Sequence, residues 1–252
     1  MFRSPRFLFT AAVAVLLVSN NAFSQDAREI VRRADNHLRG NTRYSEMAMK
    51  VVRPDWSREI SMKVWEKGRD LSLVLITSPA RDRGITFLKR GTEMWNWLPA
   101  VEKIIKIPPS MMMQSWMGSD FTNDDLVKES SIVEDYTHRI VGDSTIDGRE
   151  CYKIELIPKP EAPVVWGKLY VWISKKDDLE LRTEFFDEDG ELVNILEMSD
   201  VRMMGGRLLP AMMVMIPVNK EGHRTEMRLL AVEFDIPIKD SFFSEQNMKR
   251  VR

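Results

Sequence analysis

Cysteine is nearly absent from this 252-residue sequence, where Cys151 stands alone. That excludes an internal disulfide framework and any zinc cluster built on cysteine. Histidine is almost as scarce. His37, His138 and His223 show no metal-ligand spacing and no H-E-x-x-H pair, so no metal site is expected. An excess of basic charge is also missing. The 37 Lys+Arg and 38 Asp+Glu give a formal net charge of −1, without the positive footprint that phosphate backbones require, and nucleic acid is excluded as a partner. No G-x-S-x-G elbow, glycine-rich phosphate loop or G-x-G-x-x-G occurs, which leaves no motif for nucleophilic catalysis or a nucleotide cofactor. The acidic runs 187–189 and 123–125 flank a hairpin turn and open a helix. The chain is therefore read as a non-enzyme without cofactor. A hydrolase stays open as an alternative only because glycosidase-type carboxylate pairs are set by distance in space.

What is present is ordinary globular composition, 44% hydrophobic and 30% charged, which argues against disorder, with 17 Met and 7 Trp as the unusual counts. The first residues have the layout of a secretory signal peptide. Arg3 and Arg6 form a basic start, Phe7 to Val18 is apolar, and Ala22-Phe23-Ser24 offers small residues for cleavage before Gln25. Residues 1–24 are expected to be removed, leaving 25–252 as one domain. No cysteine sits at the cleavage site to take a lipid, and no later segment approaches 18 uninterrupted apolar residues. In a Gram-negative envelope the destination is the periplasm.

Ala27, Ile30, Val31, Ala34 and Leu38 fall on one helical stripe, so a helix is expected over Asp26–Leu38, capped at Gly40, with Arg28, Glu29, Arg32, Arg33 and Asp35 facing water. The period then changes to two. Met47, Met49 and Val51 alternate with Glu46, Ala48 and Lys50, and Ile60, Met62 and Val64 alternate with polar neighbours. Further candidate strands are 71–77, 85–90, 94–98, 103–107, 136–141, 150–157, 168–173, 181–186, 192–198, 201–204, 208–217 and 224–234, punctuated by turn signals such as Asp147-Gly148 and Gly205-Gly206. Short strands with tight turns and no intervening helices indicate an antiparallel meander.

Two segments depart from that pattern. Leu208 to Pro217 (LLPAMMVMIP) has no charged residue, so both faces of that strand are expected to be covered, either by protein or on one side by a ligand. Strand alternation puts Met213 and Met215 on one face and Met212, Val214 and Ile216 on the other. Between Ile107 and Leu126 the strand pattern breaks at Pro108-Pro109, and the connection carries Met111, Met112, Met113, Trp116, Met117 and Phe121. Connections are normally polar and exposed. One so rich in soft apolar side chains must cover something apolar, as a core plug or as a lid over a ligand. Ser119 or Asp120 is the expected cap of a short helix ending near Leu126.

Several stretches carry a resemblance: 94–99 (MWNWLP), 104–110 (IIKIPPS), 115–126 (SWMGSDFTNDDL), 136–139 (YTHR), 158–168 (PKPEAPVVWGK), 222–225 (GHRT) and 235–247 (DIPIKDSFFSEQN). Together they resemble the outer membrane lipoprotein-sorting protein-like family, the LolA-like group of bacterial periplasmic proteins, over essentially the whole mature chain. The resemblance implies a mainly β fold, a strongly curved antiparallel sheet forming an unclosed half-barrel of about eleven strands, with an N-terminal helix and short helices on the concave face. It implies a periplasmic, monomeric carrier of lipid or lipoprotein acyl chains, in transient contact with a membrane or membrane protein, and an inner-membrane RND-type exporter as a possible partner. The alternative is a non-transporting lipoprotein-binding or envelope-stress sensing module. For a carrier, the expected lipid-lining residues are Trp95, Trp97, Met112, Met113, Trp116, Met117, Phe121, Met213 and Met215.

Overall fold

The computed structural model describes residues 21–128, 132–162 and 164–252. The first 20 residues of the expected signal peptide lie outside the described residues. Helix α1 (Asn21–Arg39) begins ahead of the expected cleavage site. Its buried stripe is Ala27, Ile30, Val31 and Ala34, as the 3.6-residue period requires. It ends at Gly40, whose φ of +67° and whose approach to Phe234, 3.0 Å from where a Cβ would sit, both call for glycine. One expectation for α1 fails. Asp35 does not face water; it is buried and paired with Arg39 and Arg69.

The rest is a single antiparallel sheet of 13 strands. They are β1 (Thr42–Val52), β2 (Ser57–Lys67), β3 (Leu71–Ser78), β4 (Thr86–Arg90), β5 (Glu93–Leu98), β6 (Lys103–Lys106), β7 (Tyr136–Ile146), β8 (Arg149–Pro158), β9 (Lys168–Ser174), β10 (Glu180–Phe186), β11 (Leu192–Met204), β12 (Arg207–Pro217) and β13 (Arg224–Phe234). The count exceeds the eleven implied by the resemblance. The candidate strands at 192–198 and 201–204 are one long β11, carried through Asp200 in left-handed backbone. At the β7–β8 hairpin Asp147 and Gly148 both take positive φ, as a two-residue turn matched to strand twist demands.

The spatial order is β6-β5-β4-β3-β2-β1-β13-β12-β11-β10-β9-β8-β7. The chain starts in the middle, walks to one edge, crosses to the opposite edge, and walks back until β13 pairs with β1. The two edges, β6 and β7, are not joined to each other. Seven strand steps separate β4 from β10, about 34 Å in a flat sheet at ~4.8 Å per step. Yet Phe87 of β4 and Phe185 of β10 line the same cavity, so the sheet is strongly curved around it.

The concave face carries Met47, Met49, Val51, Ile60, Met62, Val64 and Met227, and α1 packs across its β7–β9 end against Tyr136, Ile154, Leu156, Leu169 and Val171. Not every helix covers that face. The C-terminal segment with α3 (Glu245–Met248) lies on the convex side, where Phe243, Met248 and Val251 pack on Leu73, Leu75 and Leu88. Strand β12 is covered unevenly: its outer face is covered at Leu208 and Pro210 but less so further along. Met213 and Met215 turn to the cavity, whereas Met212, Val214 and Ile216 on the outer face are half-exposed.

Candidate ligand cavity

Between α1 and the concave face lies a cavity of about 270 Å³, near the lower end of the range for small-molecule sites. Inward positions of the strands build its wall, because alternate residues share a face. Met47, Met62, Met94, Met198, Met213, Met215 and Met227, seven of the chain's 17 methionines, line it together with Phe87, Trp116, Phe121, Trp166 and Phe185. Unbranched thioether side chains repack around contents of different shape at little cost.

The connection from β6 to β7 stops one part of this cavity. It makes short 3₁₀ turns at Pro109–Met111 and Trp116–Gly118 and then helix α2 (Asn123–Lys128). Its backbone is bonded to itself: Trp116 N–H to the Phe121 carbonyl (2.8 Å), Asn123 N–H to Gln114 O (3.0 Å) and Asp124 N–H to Met112 O (2.8 Å). The central strands clamp it. Arg53 donates to Asp120 Oδ2 (3.0 Å) and to the Gly118 carbonyl (2.9 Å), and Arg58 donates to the Met117 carbonyl. The Thr225 hydroxyl donates to Asp120 Oδ2 (2.7 Å). Asp120 is thus an anchor and not a helix cap. Ser119 donates to the Trp116 carbonyl (2.7 Å), and the cap of α2 is Thr122, whose hydroxyl accepts from Asp125 N–H while Asp125 Oδ2 accepts from Thr122 N–H. Trp116 is 2% exposed, meets Phe87 edge-on at 5.4 Å, and among the described residues its buried indole N–H has no hydrogen-bond partner.

The nine residues expected to line a lipid site fall in four places. Trp116, Phe121, Met213 and Met215 line the cavity. Met112 and Met117 pack against the surrounding core. Met113 is 52% exposed. Trp95 and Trp97 are on the convex face, in the cluster under the C-terminal segment, because their inward neighbour Met94 takes the concave side.

One end of the cavity is charged. Arg43 on β1 is in register with Glu66 on β2, Glu66 with Ser72 on β3, and Ser72 with Lys89 on β4, so a polar row crosses four strands. All four residues line the cavity, joined by Arg69 and by Asp35 and Arg39 of α1. Arg43 Nε donates to Glu66 (2.5 Å), Arg39 Nε to Asp35 (2.7 Å), and Arg69 to the other Asp35 oxygen. Burial alone would raise the Glu66 carboxyl, but Arg43, backed by Arg39 and Lys89, outweighs it and holds the group below the ordinary carboxylate range. Glu180, at the start of β10, also lines the cavity and accepts from the Thr183 hydroxyl (2.5 Å), and Asp124 and Asp125 of α2 bring the acids of the lining to five. Among the described residues no group of three or more His, Cys, Asp or Glu could hold a metal ion.

A family model whose description reads "-like: Uncharacterized protein" matches residues 68–250. A DUF1329 family protein from Desulfovibrio piger superposes with a TM-score of 0.82 at 25% identity, covering 90% of this chain and 99% of that one. A putative outer membrane lipoprotein-sorting protein domain from Vibrio parahaemolyticus follows with a TM-score of 0.78 at 22% identity, over 90% and 100% of the two chains. The chain belongs to the family that this model describes, and it has the fold of outer membrane lipoprotein-sorting domains. A LolA superfamily protein from Nitrosomonas europaea shares the fold as well (TM-score 0.74, 22% identity, 88% and 98% covered). No curated protein matches the sequence.

In this chain with the lipoprotein-sorting fold, sequence reasoning missed the charged end. A signal for it exists. Arg43 shares its strand face with Met47, Met49 and Val51, and Glu66 shares its face with Ile60, Met62 and Val64. A charge that ends an inward apolar stripe marks the polar boundary of the cavity wall.

Proposed function

We propose that the protein binds the acyl chain of a lipid or of a lipidated protein in this cavity and carries it across the periplasm between the envelope membranes, without chemical conversion. The carrying observation is the methionine-rich cavity wall on the concave face of an unclosed sheet. An acyl chain costs roughly 0.8 kcal/mol per CH₂ to expose to water, so passage through an aqueous compartment needs a dry container. Release follows from an acceptor's higher affinity, and an inner-membrane RND-type exporter is the partner this reading assigns to the handover. The N-terminal 24 residues serve as the cleaved export signal, and the Trp116 segment is the stopper of the container.

The test is binding of a fluorescent acyl probe to the purified protein, with mass spectrometry of organic extracts from the same preparation. Met215→Glu places a carboxylate on the apolar wall, where it is poorly solvated, and is expected to abolish probe binding while the fold is retained. Undiminished binding in a folded Met215→Glu protein, with no lipid in the extract, would refute the reading.

A further inference from the structure

The charged end of the cavity is out of keeping with a container for chains alone. Buried ion pairs gain little over well-packed apolar residues, because desolvating both charges offsets their attraction. Here the wall brings together four cations, Arg39, Arg43, Arg69 and Lys89, with Asp35 and Glu66; the other three acids of the lining are Glu180 on β10 and Asp124 and Asp125 on α2. The groups are graded from inside to outside. The Asp35 side chain is 4% exposed and that of Arg69 is 27% exposed, so the cluster leads from the apolar wall toward solvent. Three of the four cations are guanidinium groups, whose planar forks match the oxygens of phosphate and carboxylate. The row Arg43–Glu66–Ser72–Lys89 is fixed by strand register and not by flexible loops, which preorganises it.

We propose that this cluster is a headgroup subsite, and that the cavity takes an anionic amphiphile whose oxyanion head is held by Arg39, Arg43, Arg69 and Lys89 while its chain lies along the methionine wall. The inference rests on the reading of the cavity as an acyl-chain site and adds the class of ligand. The head exchanges part of the pairing that Asp35 and Glu66 now provide. It sits at the wetter end of the cavity, so the charge is never carried through the apolar part.

Calorimetry on the delipidated full-length mature protein separates the possibilities, using ten-carbon amphiphiles below their micelle concentrations. Decyl phosphate is expected to bind at least about tenfold tighter than decyl glucoside or decyltrimethylammonium, the scale set by charge-assisted hydrogen bonds to a held oxyanion. Arg69→Gln removes the most exposed of the three guanidinium groups and should narrow that preference severalfold. Should that variant not fold, the headgroup series on the unaltered protein still decides. Equal affinity for all three heads would overturn the subsite and leave the acyl-chain reading standing. No binding of any amphiphile would overturn both. Inorganic phosphate binding as tightly as decyl phosphate would show a site for a free oxyanion and overturn the amphiphile.

Discussion

Trp116→Ala tests whether the connection between β6 and β7 is a fixed stopper. A buried tryptophan removes about 150–250 Å² from water, which at ~25 cal/mol per Å² corresponds to about 4–6 kcal/mol. Two features lower the figure here. Part of the ring borders the cavity and lacks packing partners on that side, and the unsatisfied indole N–H already costs about 1–3 kcal/mol. The expected loss is therefore about 3 kcal/mol, at the lower end of the range for Trp→Ala in cores. Met113→Ser is the control: it lies in the same segment but is 52% exposed, and should change stability by less than about 0.5 kcal/mol. Urea unfolding followed by circular dichroism gives both numbers. A loss below about 1 kcal/mol for Trp116→Ala would refute the packed stopper. It would mean that the ring spends much of its time outside the core and that the segment opens in the empty protein. Hydrogen exchange gives an independent reading, since the amides of Trp116, Ser119 and Asp124 are all bonded within the segment and should be protected with or without ligand.

Three further outcomes follow from the geometry. Burial pushes the His138 imidazole below its ordinary value of 6.5, although its bond to the Ile132 carbonyl works against this. A depressed folded pKa means that the unfolded chain takes up the proton first. Stability is then full above about 6.5 and is lost as pH falls through that value and the lower folded one, so the urea midpoint should drop toward pH 5 and drop less in His138→Gln; identical pH profiles would reject this. Asp120→Ala removes the carboxylate between Arg53 and Thr225, leaving the mostly buried guanidinium only its carbonyl partners, and should cost about 2–3 kcal/mol by thermal or urea unfolding; a loss under about 1 kcal/mol would show that the clamp is not closed in solution. Cys151 is fully buried and its thiol is pushed up by burial, so a water-soluble thiol reagent should label it only at the rate of unfolding, and rapid labelling of the folded protein would contradict that burial.

Periodicity made the elements legible. The α1 stripe and the inward faces of β1 and β2 follow directly from which residues recur at 3.6 and at 2. Periodicity does not say which face is concave. It correctly put Trp95 and Trp97 on one face of β5, and that face is the convex one, because the C-terminal segment supplies Phe243 and Met248 to cover them. The same limit explains Asp35. A helical wheel places it beside Arg32 and Arg39, but its burial depends on Arg69, 34 positions away, and only the curvature of the sheet brings the two together. Methionine content pointed to an adaptable apolar surface. Its location came from β1, β2, β5, β11, β12 and β13 meeting around one space, a fact held in no single segment.

The strand order has a consequence for how the chain comes together. Strands β1 to β6 form one sequential meander and β7 to β13 another, and among the described residues their strands join at one seam, β1 against β13. The first strand and the last are thus partners at the centre, while both rims come from the middle of the sequence. A chain emerging in order can complete its first meander early, but the 11-residue β1 keeps an unpaired edge until β13 arrives. Such an edge is a template for pairing with other chains. The hazard lasts until nearly all of the chain has been made, which makes the seam the place where holding chaperones or slow emergence would most affect yield.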